Sequence, residues 1–136
     1  MEVLKKNSYP RAEHLKSRKQ IEQLFAKGKA FSNFPFRVLW LEAERPGPAL
    51  QTGFTVGSRH FKKAVERNRV KRLMRECYRL QKQTLLEQLA ANGRRLDLFF
   101  IYVGNEIPDY ESLFQKTGSV LNRLIKMTDE NSVADS

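Results

Sequence analysis

Cysteine occurs once in this 136-residue chain, histidine twice and tryptophan once. A lone thiol, Cys77, excludes a disulfide framework and a thiolate zinc site. His14 and His60 lie far apart with no acidic cluster beside them, so the pair does not make a metal centre. The GxSxG, HExxH and Walker A patterns are missing, and no carboxylate cluster is written in the chain that would suit a nuclease acting by itself. The longest apolar run, "LDLFFIYV" at 96–103, is far too short to span a bilayer. The opening "MEVLKKNSYPRAEH" has no apolar segment of the kind a secretory signal needs. A reduced, cytoplasmic setting without a membrane partner is the expectation.

Acidic residues are also scarce. Lys and Arg number 25 against 15 Asp and Glu, for a net charge of +10 and a pI near 10.0. The imbalance is local: residues 1–82 hold 20 basic and 7 acidic side chains, and residues 83–136 hold 5 and 8. A solubility device needs no such asymmetry, whereas a surface for a polyanion does. A hydrophobic fraction of 40% and nine phenylalanines argue for one folded domain with a modest core. Its expected span is 15–127, between a basic arm at 1–14 and a polar, disordered tail at 128–136.

The punctuation of the chain predicts the elements. "SRKQIEQLFAKG" reads as a first helix, with Ser17 and Gln20 as a capping box and Gly28 as its stop. "FPFRVLWLE" and "LQTGFTVG" read as strands on either side of the turn "RPGP", and a further strand within 29–36 is left undecided by the periodicity. A basic helix follows, either running on through "QTLLEQLAANG" or breaking near Gln83. "LDLFFIYV" reads as a buried strand, and "YESLFQKTGSVLNRLIKM" as a last helix capped by Asp109. Strand, helix, strand over 50–103 makes a β-α-β unit in a small α+β sandwich.

The chemistry concentrates in the basic helix. From Arg67 to Lys82 there are seven cations and one acid, Glu76. At 100° per residue, Val70, Leu73, Met74, Cys77 and Leu80 form an apolar stripe, while Asn68, Lys71, Arg72, Arg75 and Arg79 gather opposite. The polar stripe is about 16 Å long, the reach of several backbone phosphates. Arginine predominates in it, and a guanidinium grips phosphate with two parallel bonds where lysine is a point charge. No acid stands at the helical spacing that would neutralise the set from within, apart from Glu76. A second surface is aromatic: Phe25, Phe34, Phe36 and Trp40 could line a cleft in which bases stack, although residues of this type at this spacing are commonly plain core.

"AVERNRVKRLMRECYR", preceded by "GFTVGSR", resembles the signature of the bacterial ribonuclease P protein subunit, whose hallmark is an Arg-Asn-Arg triplet. The likeness extends to "LKSRKQIEQLFAKGK", "FPFRVLWL" and "DLFFIYV", covering about 14 to 127. It implies a two-layer α+β sandwich of order α-β-β-β-α-β-α with a left-handed β-α-β crossover, against the usual hand. It implies a non-catalytic subunit of an RNA-based endoribonuclease that removes the 5′ leader of precursor tRNA. The partners implied are the catalytic RNA, expected one-to-one, and precursor tRNA. No cofactor is expected on this chain alone, and Mg²⁺ is expected at the RNA–protein complex. By position, the implied RNA-facing set is Arg67, Asn68, Arg69, Lys71, Arg72 and Arg75, with Arg79 added from the stripe. The implied leader cleft takes Phe25, Ile21, Phe36, Ser58, Arg59, Lys62 and Lys63. Two departures stand out: Ile21 stands where many relatives carry an aromatic, and the loop "RHFKKA" replaces a glycine–asparagine form common in the family and is one residue longer, with Lys62 and Lys63 expected to take over some of its charge contacts. The alternatives are a ribosomal or other structural RNA-binding protein and a DNA-binding regulator. The latter is disfavoured because a strand, not a short helix, precedes the basic helix.

Overall fold

The computed structural model describes residues 8–129. A four-stranded sheet in the order β1-β2-β4-β3 is built from β1 (Lys29–Asn33), β2 (Phe36–Glu42), β3 (Leu50–Val56) and β4 (Leu96–Tyr102). β1 and β2 form an antiparallel hairpin, β2 and β4 are antiparallel, and β3 and β4 are parallel. The segment 29–36, undecided from sequence, is thus an edge strand and a turn. Four α-helices complete the fold: α1 (Arg18–Lys27), α2 (Ala64–Arg79), α3 (Gln83–Ala91) and α4 (Tyr110–Met127).

The order is α-β-β-β-α-α-β-α: the basic segment breaks before Gln83, one of the two readings the sequence left open, which adds a helix to the order the resemblance implies. The basic helix stops at Arg79 because the next residues turn inward. Gln81 Nε2 donates to the carbonyls of Cys77 and Phe114, tying α2 to α4. Lys82 is buried, with its Nζ 2.8 Å from Glu13 Oε1. Two caps are as expected in part: Asp109 accepts from the Ser112 amide at 3.0 Å, and Ser17 from the Gln20 amide at 3.3 Å. The Gln20 side chain does not close a capping box; it reaches Gln51 on β3 instead.

Period-two alternation divides the sheet. Phe36, Val38, Leu98, Phe100 and Tyr102 face α2, α3 and α4 and form the main core. Leu39 and Phe99 face the other way, against Leu15 and Leu24 of the α1 side, with Ile21, Leu41 and Ile101 packed around them. This corrects two sequence expectations. Phe36 is only 1% exposed, edge-on to Phe100 and Tyr102 in the main core, so it is not a wall of any cleft. Trp40 shares its face, and Phe34 lies in the β1–β2 turn, so the four aromatics do not form one surface.

Residues 9–15 are not a free arm. They run along the edge of β3 as a strap containing a 3₁₀ turn at Arg11–Glu13. The Leu15 amide and the Tyr9 hydroxyl both donate to the Thr52 carbonyl, at 3.0 and 2.6 Å. The expected boundary at 14 therefore moves back to at least Tyr9. At the other end Thr128 is buried and donates its hydroxyl to Leu124 O, so it closes α4 rather than opening a tail. The rest of the expected arm and tail lies outside the described residues.

Candidate nucleic-acid interface

α2 presents its two stripes much as the periodicity predicts. Val70, Met74 and Cys77 are buried, but the buried arc turns toward Tyr78, which is fully enclosed, and leaves Leu73 and Leu80 half-buried. Burial, with a smaller push from Glu76, raises the Cys77 thiol to about 11, so it is a packed thiol and no nucleophile. On the opposite side Asn68, Arg69, Arg72 and Arg75 are exposed, and Lys71 is half-buried.

Two of the predicted cations have internal work. Arg67 Nη1 donates to the carbonyls of Phe61 and Lys62, at 2.6 and 2.9 Å. It clamps the loop between β3 and α2, whose Phe61 plugs into the core against Tyr102. With its middle anchored, that loop holds Ser58, Arg59, Lys62 and Lys63 in solvent ahead of an α2 start that no side chain caps. Arg79 pairs with Glu76 through two hydrogen bonds, which hold the Glu76 carboxyl below its usual value. Glu76, the one acid of α2 beyond Glu66 in its first turn, is thereby taken up at one end of the stripe, leaving Arg69, Arg72 and Arg75 beyond its hydrogen bonds.

The second surface is a cleft of about 210 Å³ on the α1 side of the sheet. α1 covers β2 and β4 but leaves the β3 side of this face open. Ile21 forms one wall, Phe99 and Gly53 the floor, and the strap residues Tyr9 and His14 the end. Gly53 is required here: a Cβ would sit 2.5 Å from the Phe99 ring, which lies directly over the glycine. Phe25 stands above this floor, 55% exposed and edge-on to Phe99 at 5.7 Å between centroids. Tyr9 stacks on His14 at 4.0 Å, and burial holds its phenol well above the ordinary range despite an opposing pull from Arg75.

Arg75 joins the two surfaces. It belongs to the exposed stripe of α2, yet it also lines the cleft, reaching past the edge of β3. Of the residues expected in the cleft, the fold brings Phe25 and Ile21 together and sets Ser58, Arg59, Lys62 and Lys63 on the loop after β3. Phe36 is excluded. Phe99, Gly53, Tyr9, His14 and Lys16 were not anticipated. Alternation within "LDLFFIYV" carried a signal for Phe99, since Leu98 and Phe100 must face opposite to it. Nothing in the sequence marked the strap. Among the described residues, no group of three or more His, Cys, Asp or Glu is placed to hold a metal, and no helix is long and apolar enough to cross a membrane.

Comparison with known proteins identifies the family and the fold. The Ribonuclease P family model matches residues 9–125, which includes the strap. The ribonuclease P protein component of Porphyromonas gingivalis is 36% identical over 104 residues, 76% of either chain. That of Chlorobaculum tepidum is 34% identical over 130 residues, covering 88% of this chain and 84% of the relative. Among solved structures, the Thermotoga maritima RNase P protein superposes with a TM-score of 0.61 at 26% identity, over 82% of this chain and 96% of that one. The Staphylococcus aureus RNase P protein gives 0.60 at 20% identity, over 86% and 95%, which supports the fold. The chain belongs to the ribonuclease P protein-component family, the protein subunit of the RNA-based endoribonuclease that matures tRNA 5′ ends.

Proposed function

We propose that this chain supplies ribonuclease P with affinity and selectivity for precursor tRNA, while the RNA subunit, in a one-to-one cytoplasmic complex, holds the Mg²⁺ that serves bond cleavage. Asn68, Arg69, Arg72 and Arg75, flanked by Lys71 and Arg79, meet the RNA subunit. The 5′ leader lies in the cleft, over Phe99 and beside Phe25 and Ile21, with Lys16 and Arg75 near its phosphates. Arg59, Lys62 and Lys63 guide the strand at the loop, and Arg67 acts by holding that loop. Arg75 is the observation that carries this: one side chain lies on both the cationic stripe and the cleft, so one bound RNA assembly can use both surfaces.

Selectivity then follows from differential binding. Gripping the leader favours precursor over mature product, and fixed cations lessen the phosphate repulsion that free Mg²⁺ would otherwise have to screen. Affinity should be compared for precursor tRNAs of graded leader length, with and without this chain bound to the RNA subunit. The expected result is a protein-dependent gain that grows with leader length and disappears for leaderless tRNA. An equal gain for leaderless tRNA sinks the assignment. With about six phosphates neutralised, affinity for the RNA subunit should fall roughly a thousandfold between about 50 and 200 mM salt.

A further inference from the structure

A second cationic surface lies on the exposed side of α4, whose buried side packs against α2. α4 crosses the sheet above β1, at the opposite edge from β3. Residues 83–136 are acidic in sum, yet three of their five cations, Lys116, Arg123 and Lys126, come from the exposed side of this one helix. They span about 15 Å along its axis. Between and beside them lies an open groove lined by Ser119, Asn122, Arg123 and Lys126 among others, and no acid lines it.

β1 completes the surface from the other half of the chain. Arg123 is seated over the Phe31 ring, 4.1 Å from guanidinium carbon to centroid, and Lys29 lies over Trp40 at 5.3 Å. Asn33 Nδ2 donates to Ser119 Oγ at 3.1 Å, joining strand to helix. A guanidinium stacked on an aromatic keeps its N–H groups in plane and free of the ring, so its fork is aimed before any ligand arrives. A merely solvated cation has no such seat. The acids nearest the patch lie at its ends. Glu42, which acts on Lys29, is already held by two hydrogen bonds from Arg94; Asp109 caps the start of α4 with Glu111 in its first turn, and Asp129 follows the end of the helix, three residues past Lys126.

We propose that α4 and β1 form a second RNA-backbone contact, with Arg123 as its central phosphate ligand, engaging a segment of the RNA subunit distinct from the one held by α2. The occupant follows from charge: spaced cations, a planar fork and uncharged amide and hydroxyl donors suit consecutive phosphates of a folded RNA. The proposal rests on the reading that the RNA subunit is the partner of α2; α4 packs on α2 with its buried side, and the second contact uses the exposed side that carries Lys116, Arg123 and Lys126.

Hydroxyl-radical footprinting of the RNA subunit with the full chain tests it. The variants are Lys116→Gln/Arg123→Gln/Lys126→Gln and, on α2, Arg72→Ala/Arg75→Ala. The α4 triple should erase one discrete protected segment, leave the α2-dependent protection in place, and lower the salt slope by roughly 2–3. Arg123→Lys should weaken that same segment only. An unchanged footprint and slope, or a uniform weakening of all protections by lost bulk charge, overturns the proposal. If the α2 double variant removes no protection, the reading of α2 fails, and the α4 segment is still scored by its own loss or retention.

Discussion

Phe25 and Phe36 are both phenylalanines at positions from which a cleft could be imagined, and the fold gives them opposite consequences. Phe36 is 1% exposed and packed edge-on between Phe100 and Tyr102. Truncating a fully buried phenylalanine costs about 3–5 kcal/mol. For a domain of this size that lowers Tm by roughly 10–20 °C. Phe25 is 55% exposed, with one edge-to-face partner in Phe99, so Phe25→Ala should cost the fold about 1 kcal/mol or less. Stacking of a base on its free face is worth about 1–3 kcal/mol, so Phe25→Ala should reduce the preference for precursor over leaderless tRNA by roughly 5- to 150-fold. Thermal denaturation of both variants, followed by binding of both tRNAs to the assembled holoenzyme, separates the two effects. A Phe36→Ala variant that melts within about 2 °C of the native chain refutes the packing argument. A Phe25→Ala variant with unaltered precursor preference refutes the assignment of the cleft.

Three further outcomes follow from single contacts. Glu13→Gln strands the buried Lys82 ammonium and should destabilise the fold by about 3–5 kcal/mol in denaturant titration, with Lys82→Met in the same chain recovering most of it; a loss below about 1 kcal/mol would show that the pair does not hold the strap. Gly53→Ala must displace the Phe99 ring from the cleft floor, so leader preference should drop while binding of the RNA subunit through α2 stays near native; an unaffected leader preference counts against that floor. Hydrogen bonds from Arg94 hold the Glu42 carboxyl below its usual value, so its contribution is complete above the unfolded pKa and is lost as pH falls through the folded one. Glu42→Gln should therefore lose less stability than the native chain on acidification below about pH 4.5, and parallel acid limbs for the two proteins would contradict this.

The basic helix was legible because its signal is carried within one element: period 3.6 sorts Val70, Met74 and Cys77 from Asn68, Arg72 and Arg75 whatever lies around them. The cleft was not legible in the same way. Whether an aromatic on a strand faces bases or core depends on which side the helices cover, and period two fixes only relative facing. Phe36 and Phe99 sit on opposite faces of adjacent strands, and the spacing alone could not say which face α1 leaves open. Arg67 and Arg79 were indistinguishable from their neighbours because their partners are two loop carbonyls and an intrahelical carboxylate, whose placement and rotamer the sequence does not state. The strap escaped notice because its bonds are long-range, from Tyr9 and Leu15 to Thr52 and from Glu13 to Lys82.

Those long-range bonds meet at one residue. The Thr52 carbonyl receives the strap through Tyr9 and Leu15, while its hydroxyl shares a 2.7 Å hydrogen bond with the hydroxyl of Tyr78, inside α2. Tyr9 also packs edge-on against Tyr78 and Phe54. The end wall of the cleft and the helix that carries the arginines are therefore fastened to the same point on β3, with Glu13–Lys82 as a second tie just beyond the end of α2. A leader in the cleft and an RNA on α2 would be held at a separation set by these shared ties. That is where rigidity is worth most, because the entropy of aligning the two ligands has already been lost in folding and is not charged against the complex.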